Sequence, residues 1–277
     1  SVNPNVAVKV TDKLSAAFGV EAMYLDLNLK RKIDFRFMTQ PDGDLDLQAD
    51  GFGYGFNMGL HYQPCEYAKL GLAYRSPVTM KVTGDADFSS IPGNIYNIGA
   101  FRDTSASGVV TLPDSFSFGL ALYPTEKLSV EVGAVYTMWS KYEKLEINFG
   151  DEVIPIIQNP YSRTDRIVSY KKWNDVWRFN VGVEYEALDW LDLRLGYVYD
   201  NTPVPDEHID YLLPDSNRQI FSGGVGFKGE SWNLDLNYSY LLFADRDIDR
   251  RLREYVYDGA VEDADAHIAG VSFTYRF

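Results

Sequence analysis

The chain has 277 residues, a formal net charge of −14, three histidines and one cysteine. Such acidity excludes a nucleic-acid binder, which needs a basic stripe, and the lone Cys65 excludes an intramolecular disulfide. Mean hydropathy is −0.24 and no apolar run approaches the ~20 residues of a membrane helix, yet aromatic residues make up 15% of the chain.

Side chains on a strand alternate between two faces, and that alternation is the dominant signal here. The first short strand is "NVAVKV" (5–10). Over 14–29, Leu14, Phe18, Val20 and Tyr24 oppose Ser15, Gly19 and Glu21. Over 46–62, Phe52, Tyr54, Phe56, Met58, Leu60 and Tyr62 oppose Gly53, Gly55, Asn57, Gly59 and His61. Strands at 69–83 and 109–123 follow, the second with Phe116, Phe118 and Leu120 against Ser117, Gly119 and Ala121. The segments 128–145, 175–186, 191–200, 218–227 and 232–243 repeat the split; in the third, Leu191, Leu193, Leu195, Tyr197 and Tyr199 oppose Asp192, Arg194, Gly196 and Asp200. The last, 266–277, carries Ala269, Val271, Phe273, Tyr275 and Phe277 on one face.

A soluble sandwich also alternates, but its apolar face packs a shared core. Here one face is Gly, Ser, Asn and opposed charges, and the other ends in large aromatics. That is the polarity of a transmembrane barrel, with lipid outside and a polar lumen inside. The connections agree. Short links at 11–13, 63–67, 124–127, 187–190 and 228–231 alternate with long ones near 31–50, 84–110, 146–174, 200–217 and 244–265, as periplasmic turns and external loops do. The expected fold is therefore a single all-β domain over 1–277, an antiparallel up-and-down barrel in the bacterial outer membrane. Eleven strands are expected, whereas bacterial single-chain barrels have even numbers. The first runs downward, so at least one upward strand is expected before it. The absence of an initiating methionine fits a processed protein or a piece of a longer one.

Several stretches resemble the FadL/TodX family of outer-membrane transporters. "NPNVAVKVTDKLSAAFGVEAMY" is similar to that family's asparagine-proline strand-turn-strand, and "LPDSFSFGLALYPTEKLSVEVGAVYTMWSKYEKLEI" (112–147) to its hairpin ending in Tyr-Thr-x-Trp-Ser. The most specific stretch is 176–227, with "TPVP" followed by "LLPDSNR". The resemblance implies a fourteen-stranded barrel, a hatch upstream of this chain, and passive uptake of hydrophobic small molecules such as long-chain fatty acids or aromatic hydrocarbons. It implies a monomer, and a terminal aromatic, Phe277, read by the barrel-assembly machinery. The outer-membrane lipid and lipopolysaccharide are the expected surroundings. A general polar porin or a structural barrel is the alternative; a lipid-hydrolysing enzyme is a weaker one, because no serine motif stands beside His61, His208 or His267.

A transporter of hydrophobes needs greasy patches and, for an acidic ligand, a cation. Arg75, Arg178 and Arg194 share the lumen phase and are the candidate ligand contacts. The competing reading pairs them with lumen acids such as Glu21, Glu184, Asp192 and Asp235. In the external loops, Ile91, Ile95, Tyr96, Ile98, Phe101, Ile154, Ile156, Ile157 and Tyr161 are candidates for hydrophobe capture, against ordinary packing on the mouth. The acidic run "PDGDLDLQADG" misses the glycine register of a calcium loop, so it is expected to form a solvated rim or a divalent-bridged contact with lipopolysaccharide phosphates. No cofactor and no metal site are expected.

Overall fold

In the computed structural model, residues 1–156, 159–209, 214–251 and 256–276 are described. The strands, in chain order, begin with β1 (Asn5–Lys9), β2 (Leu14–Ile33), β3 (Gly43–Cys65), β4 (Ala68–Arg75), β5 (Val78–Ser89), β6 (Thr104–Leu112), β7 (Ser115–Thr125) and β8 (Leu128–Thr137). The chain continues through β9 (Lys144–Phe149), β10 (Ile154–Ile156), β11 (Asn159–Thr164), β12 (Arg166–Tyr170), β13 (Val176–Leu188) and β14 (Leu191–Asp200). It ends with β15 (Arg218–Lys228), β16 (Trp232–Phe243), β17 (Arg246–Ile248), β18 (Gly259–Val261) and β19 (Asp265–Tyr275). Among the described residues no helix is long and apolar enough to cross a membrane.

The wall runs β1-β2-β3-β4-β7-β8-β13-β14-β15-β16-β19, every pair antiparallel. It therefore contains the eleven segments read from the sequence. Register fixes the faces. Phe18, Met58, Tyr74, Phe116, Tyr136 and Trp177 form one outward row. The neighbouring row, Asn5, Gly19, Asn57, Arg75 and Ser115, points inward. Along the outer face Leu195 is 72% and Val271 74% exposed, which only contact with lipid makes tolerable. Aromatic rings mark both rims. Tyr74–Phe116 and Tyr136–Trp177 sit at 4.8 and 4.9 Å near the upper edge. Trp190–Phe227 and Trp232–Phe273 stack at 6.2 and 6.5 Å near the lower one. At about 3.3 Å per residue and a tilt of about 40°, β13 spans roughly the apolar band of an outer membrane.

Above the upper rim the alternation changes sense. On β3 the outward face passes from Phe52 to Asp50, Gln48, Asp46 and Asp44. The inward face passes from glycines to Ala49, Leu47 and Leu45, all buried. Outside lipid the ordinary rule returns, with polar residues toward water and apolar ones toward a core. The strands at 69–83 and 109–123 are broken where the ladder fails, at Ser76–Pro77 and Pro113–Asp114, with the two prolines opposite one another. Proline has no N–H to donate to a sheet. Between Asn57↔Arg75 and Phe52↔Lys81, four residues of β3 face five of the partner, so the strand bulges. Phe56 N–H is satisfied instead by Ser76 Oγ at 2.8 Å.

Beyond that bulge, β5, β6, β9 and β12 extend the sheet from the upper half of β3 and roll inward. They enclose a core of Leu45, Leu47, Val82, Phe88, Phe149 and Val153. The links expected at 31–50 and 84–110 are therefore about half strand, the sheet continuing to Ile33 and Ser89 and resuming at Gly43 and Thr104. A second, smaller core gathers Trp173, Val204, Ile209, Ile248 and Val256 from three external loops, with Trp139 and Tyr142 packed against it. The expected strand 128–145 stops at Thr137 and turns through a 3-10 segment, Trp139–Lys141, before β9.

Candidate functional site

The inner face of β13–β16 carries the densest charge. Arg194 reaches Glu184 and Asp235 at 2.5 Å and Asp192 at 3.4 Å. Lys228 bridges Glu186 and Asp192, both at 2.8 Å. Glycine makes this span possible. Gly226 lies between Asp192 and Asp235 in register, and a Cβ there would meet Arg194 Nη1 and Asp235 Oδ1 at 2.8 Å each. The "FSGGVGF" stretch thus leaves a bare backbone over which the guanidinium crosses β15. Three carboxylates hold Arg194, so its donors are committed within the wall.

The other two lumen arginines differ. Arg75 lies 3.6 Å from Glu21, whose carboxylate is almost wholly buried. Arg178 projects from β13 on the row of Ala73, Ser117 and Val135, and among the described residues it makes no ion pair. Asp200, its partner across the ladder to β14, is engaged by Arg218 at 2.9 Å.

In the loops, the apolar residues divide. Ile91, Phe101 and Ile154 pack against the larger external core, Phe101 with its ring 5.7 Å from Phe35 and 5.6 Å from Phe88. Ile95 is half-buried. Tyr96 and Ile98 stand 50% and 49% exposed at the tip, with Arg102 over the Tyr96 ring at 5.3 Å. Ile157 lies outside the described residues, as do the side chains of Ile156 and Tyr161 and the terminal Phe277.

The acidic run resolves into cross-strand pairs on the outer, water-facing side: Asp46 with Lys30 at 3.1 Å and Asp44 with Lys32. Asp34 and Arg36 clasp on either side of the buried Phe35, and the Arg36 side chain and backbone N–H hold the Asp34 carboxyl down at about 2. His267 lies in the outward row, hydrogen-bonded to Tyr238 OH at 2.5 Å and 3.1 Å from Asp265.

The "TPVP" and "PDSNR" pieces prove to be two halves of one clasp. Thr202 Oγ1 donates to Asp215 at 2.7 Å, and Thr202 N–H to Asn217 Oδ1 at 2.8 Å. Arg246, nearly buried and absent from the sequence reading, locks them together. It donates to the carbonyls of Val204 and Asp215 at 3.0 and 2.9 Å and to Asp206 at 2.5 Å. Replacing Arg246 by methionine is expected to cost about 2–3 kcal/mol, because two carbonyl acceptors lose a charged donor. Limited proteolysis checks it: cleavage within 201–217 should accelerate while the wall strands stay resistant.

An antiparallel wall with an apolar outer band, aromatic rims, short turns at one end and built-up loops at the other defines a transmembrane β-barrel protein of the outer membrane. The family model of the outer membrane protein transport proteins (OMPP1/FadL/TodX) matches residues 1–277, and the chain belongs to that family. It is 27% identical to outer membrane protein P1 of Haemophilus influenzae over 87% of this chain and 55% of that protein. It is 26% identical to a long-chain fatty acid transport protein of Escherichia coli over 74% of this chain and 46% of that one. The chain thus spans about half the length of the curated relatives it matches. Among solved structures, a Pseudomonas aeruginosa FadL homologue superposes with a TM-score of 0.84 at 20% identity, covering 99% of this chain and 67% of that one. The Pseudomonas putida toluene transporter TodX gives 0.67 at 18%, covering 99% and 68%. These likenesses establish the fold.

Proposed function

We propose that this chain forms most of the wall and mouth of a channel for the passive uptake of hydrophobic small molecules. Long-chain acids and aromatic hydrocarbons are the classes named in its relatives. The observation that carries the reading is the switch of the inner face. Within the membrane it is small, polar and ion-paired; above the rim it becomes apolar, Leu45, Leu47 and Val82 closing a core whose flanking loop leaves Tyr96 and Ile98 open to an arriving ligand. A polar porin has no use for an oily mouth over an aqueous lumen. Hydrophobes would be gathered by that mouth and handed inward down their own gradient, with no energy source in the wall. Arg178, free of an ionic partner among the described residues, is the contact for an acidic head group.

Liposomes bearing the whole protein test it. Uptake of a fluorescent fatty acid and of a monoaromatic probe should exceed that of empty vesicles, with sugars excluded. Sugar-driven swelling without hydrophobe uptake would replace this reading by the polar porin. The double variant Tyr96→Ser, Ile98→Ser should slow hydrophobe uptake several-fold at low probe concentration and leave it unchanged at saturation. Arg178→Gln should weaken carboxylate-headed probes and spare the aromatic one.

A further inference from the structure

The Tyr136–Ser140 stretch lies where the wall ladder lapses. β7 and β8 pair up to Ser115↔Thr137, and β6 and β9 pair only from Gly108↔Ile147 upward. Between them residues 109–114 face residues 138–146, and the longer side turns through Trp139–Lys141 instead of running on as strand. Interior strands of a sheet are held by backbone bonds along both edges. This strap is held by side chains.

Two carboxylates moor it, one from either flank. Asp114, at the junction of β6 and β7, has a side chain only 6% exposed; it takes the Lys141 ammonium at 2.6 Å and the Tyr74 hydroxyl at 3.3 Å. Its carbonyl accepts Met138 N–H at 3.0 Å. Asp175, just ahead of β13, accepts Ser140 N–H at 2.9 Å and the Tyr136 hydroxyl at 3.1 Å. Tyr74 and Tyr136 belong to the outward aromatic row, so the strap is fastened to the rim. On its other side it reaches the smaller external body. Trp139 and Tyr142 meet Trp173 with ring centroids 4.9 Å apart, and Trp173 is part of that body's core.

We infer that Met138–Lys141 is a latch: the Asp114–Lys141 pair holds the smaller external body to the rim, and its release lets that body move and speeds the entry of hydrophobes. The last clause rests on the uptake proposed above. The kind of contact separates a latch from a plain brace. An apolar contact would brace the strap equally well, since a buried ion pair adds little net stability over one. With Lys141 42% exposed, this pair is one that salt or a competing charge can loosen. Trp139–Lys141 also lie outside the ladder, so their release costs the wall none of its pairings.

Hydrogen exchange and uptake by the whole protein test the latch. Raising salt from about 0.1 M to about 1 M cuts the screening length from about 10 Å to about 3 Å. In the unaltered protein this should speed amide exchange at least fivefold over 139–143 and 171–175 and leave β7, β8 and β13 unchanged. The double variant Asp114→Asn, Lys141→Met removes both charges and strands neither. It should exchange fast in the same segments at low salt, respond no further to salt, and take up a fluorescent hydrophobe in liposomes at least twofold faster. The latch is overturned if exchange over 139–143 ignores salt in the unaltered protein. It is equally overturned if the double variant loosens β7 and β8 to the same degree, as loss of a brace would, or if local loosening leaves the uptake rate unchanged. Should the unaltered protein take up no hydrophobe, the uptake reading fails by itself, and the salt-dependent exchange alone decides whether the latch stands.

Discussion

Gly84→Val should cripple the external part of this protein. A Cβ at that position falls 1.9 Å from the Gln48 carbonyl oxygen and 2.7 Å from Ala49 Cα, and Gly51 is as tightly enclosed from the other side by the Lys81 carbonyl, at 2.1 Å. Both obstacles are backbone, held by the ladder that joins β3 to β5, so neither can move aside as a side-chain tip does. The expected cost is about 3 kcal/mol, the upper end for overpacking. It falls on the roll that brings β5 over the inner face of β3, so the core around Leu47 and Phe88 should open while the wall below keeps its register. Thermal unfolding in detergent, followed beside protease access to 31–50 and 84–110, checks this. Gly119→Ala is the control. Nothing lies within 4 Å of a Cβ there, and it should unfold at the temperature of the unaltered chain.

Arg194→Met should produce a clear loss within the wall itself. It strands Glu184 and Asp235 and leaves Asp192, the most enclosed at 10% side-chain exposure, to Lys228 alone. Removing one partner from a wholly buried pair costs about 3–5 kcal/mol. Arg194 is itself 37% exposed, so water tempers the loss to about 2 kcal/mol. Adding Asp235→Asn should restore part of it, because the second change removes one of the repelling charges. A thermal-melting cycle over both single variants and the double should therefore show clear non-additivity. Strict additivity would mean that the network contributes nothing to the stability of the wall.

The wall was legible because lipid and lumen impose one constant phase on each strand. Phe52 through Tyr62, Trp177 through Tyr185 and Leu191 through Tyr199 face outward as their spacing requires. The external core was not legible, for a specific reason. On β3 the apolar set moves from even to odd positions between Phe52 and Ala49, so the same strand reads as an interruption when one phase is assumed throughout. Lumen charges were assignable to a face from β14 alone. The acids that hold them, Glu21, Glu184, Asp192 and Asp235, were in view as well, but not which arginine each one meets, since Arg194 reaches Asp235 only across the bare backbone of Gly224 and Gly226 on another strand. The loop clasp was further from view. Arg246 lies 42 residues from Val204 and 31 from Asp215, and no local pattern joins them.

The two external bodies are mounted differently. β2 and β3 run without a break from the lower turn into the larger one, whereas the smaller is suspended on connections between wall strands and stitched by Arg246. The first is a stiff mast, unable to swing without shearing twenty ladder pairings between Leu14 and Ile33. The suspended body is the one that can shift without breaking the ladder of the wall, with the mast as its fixed post.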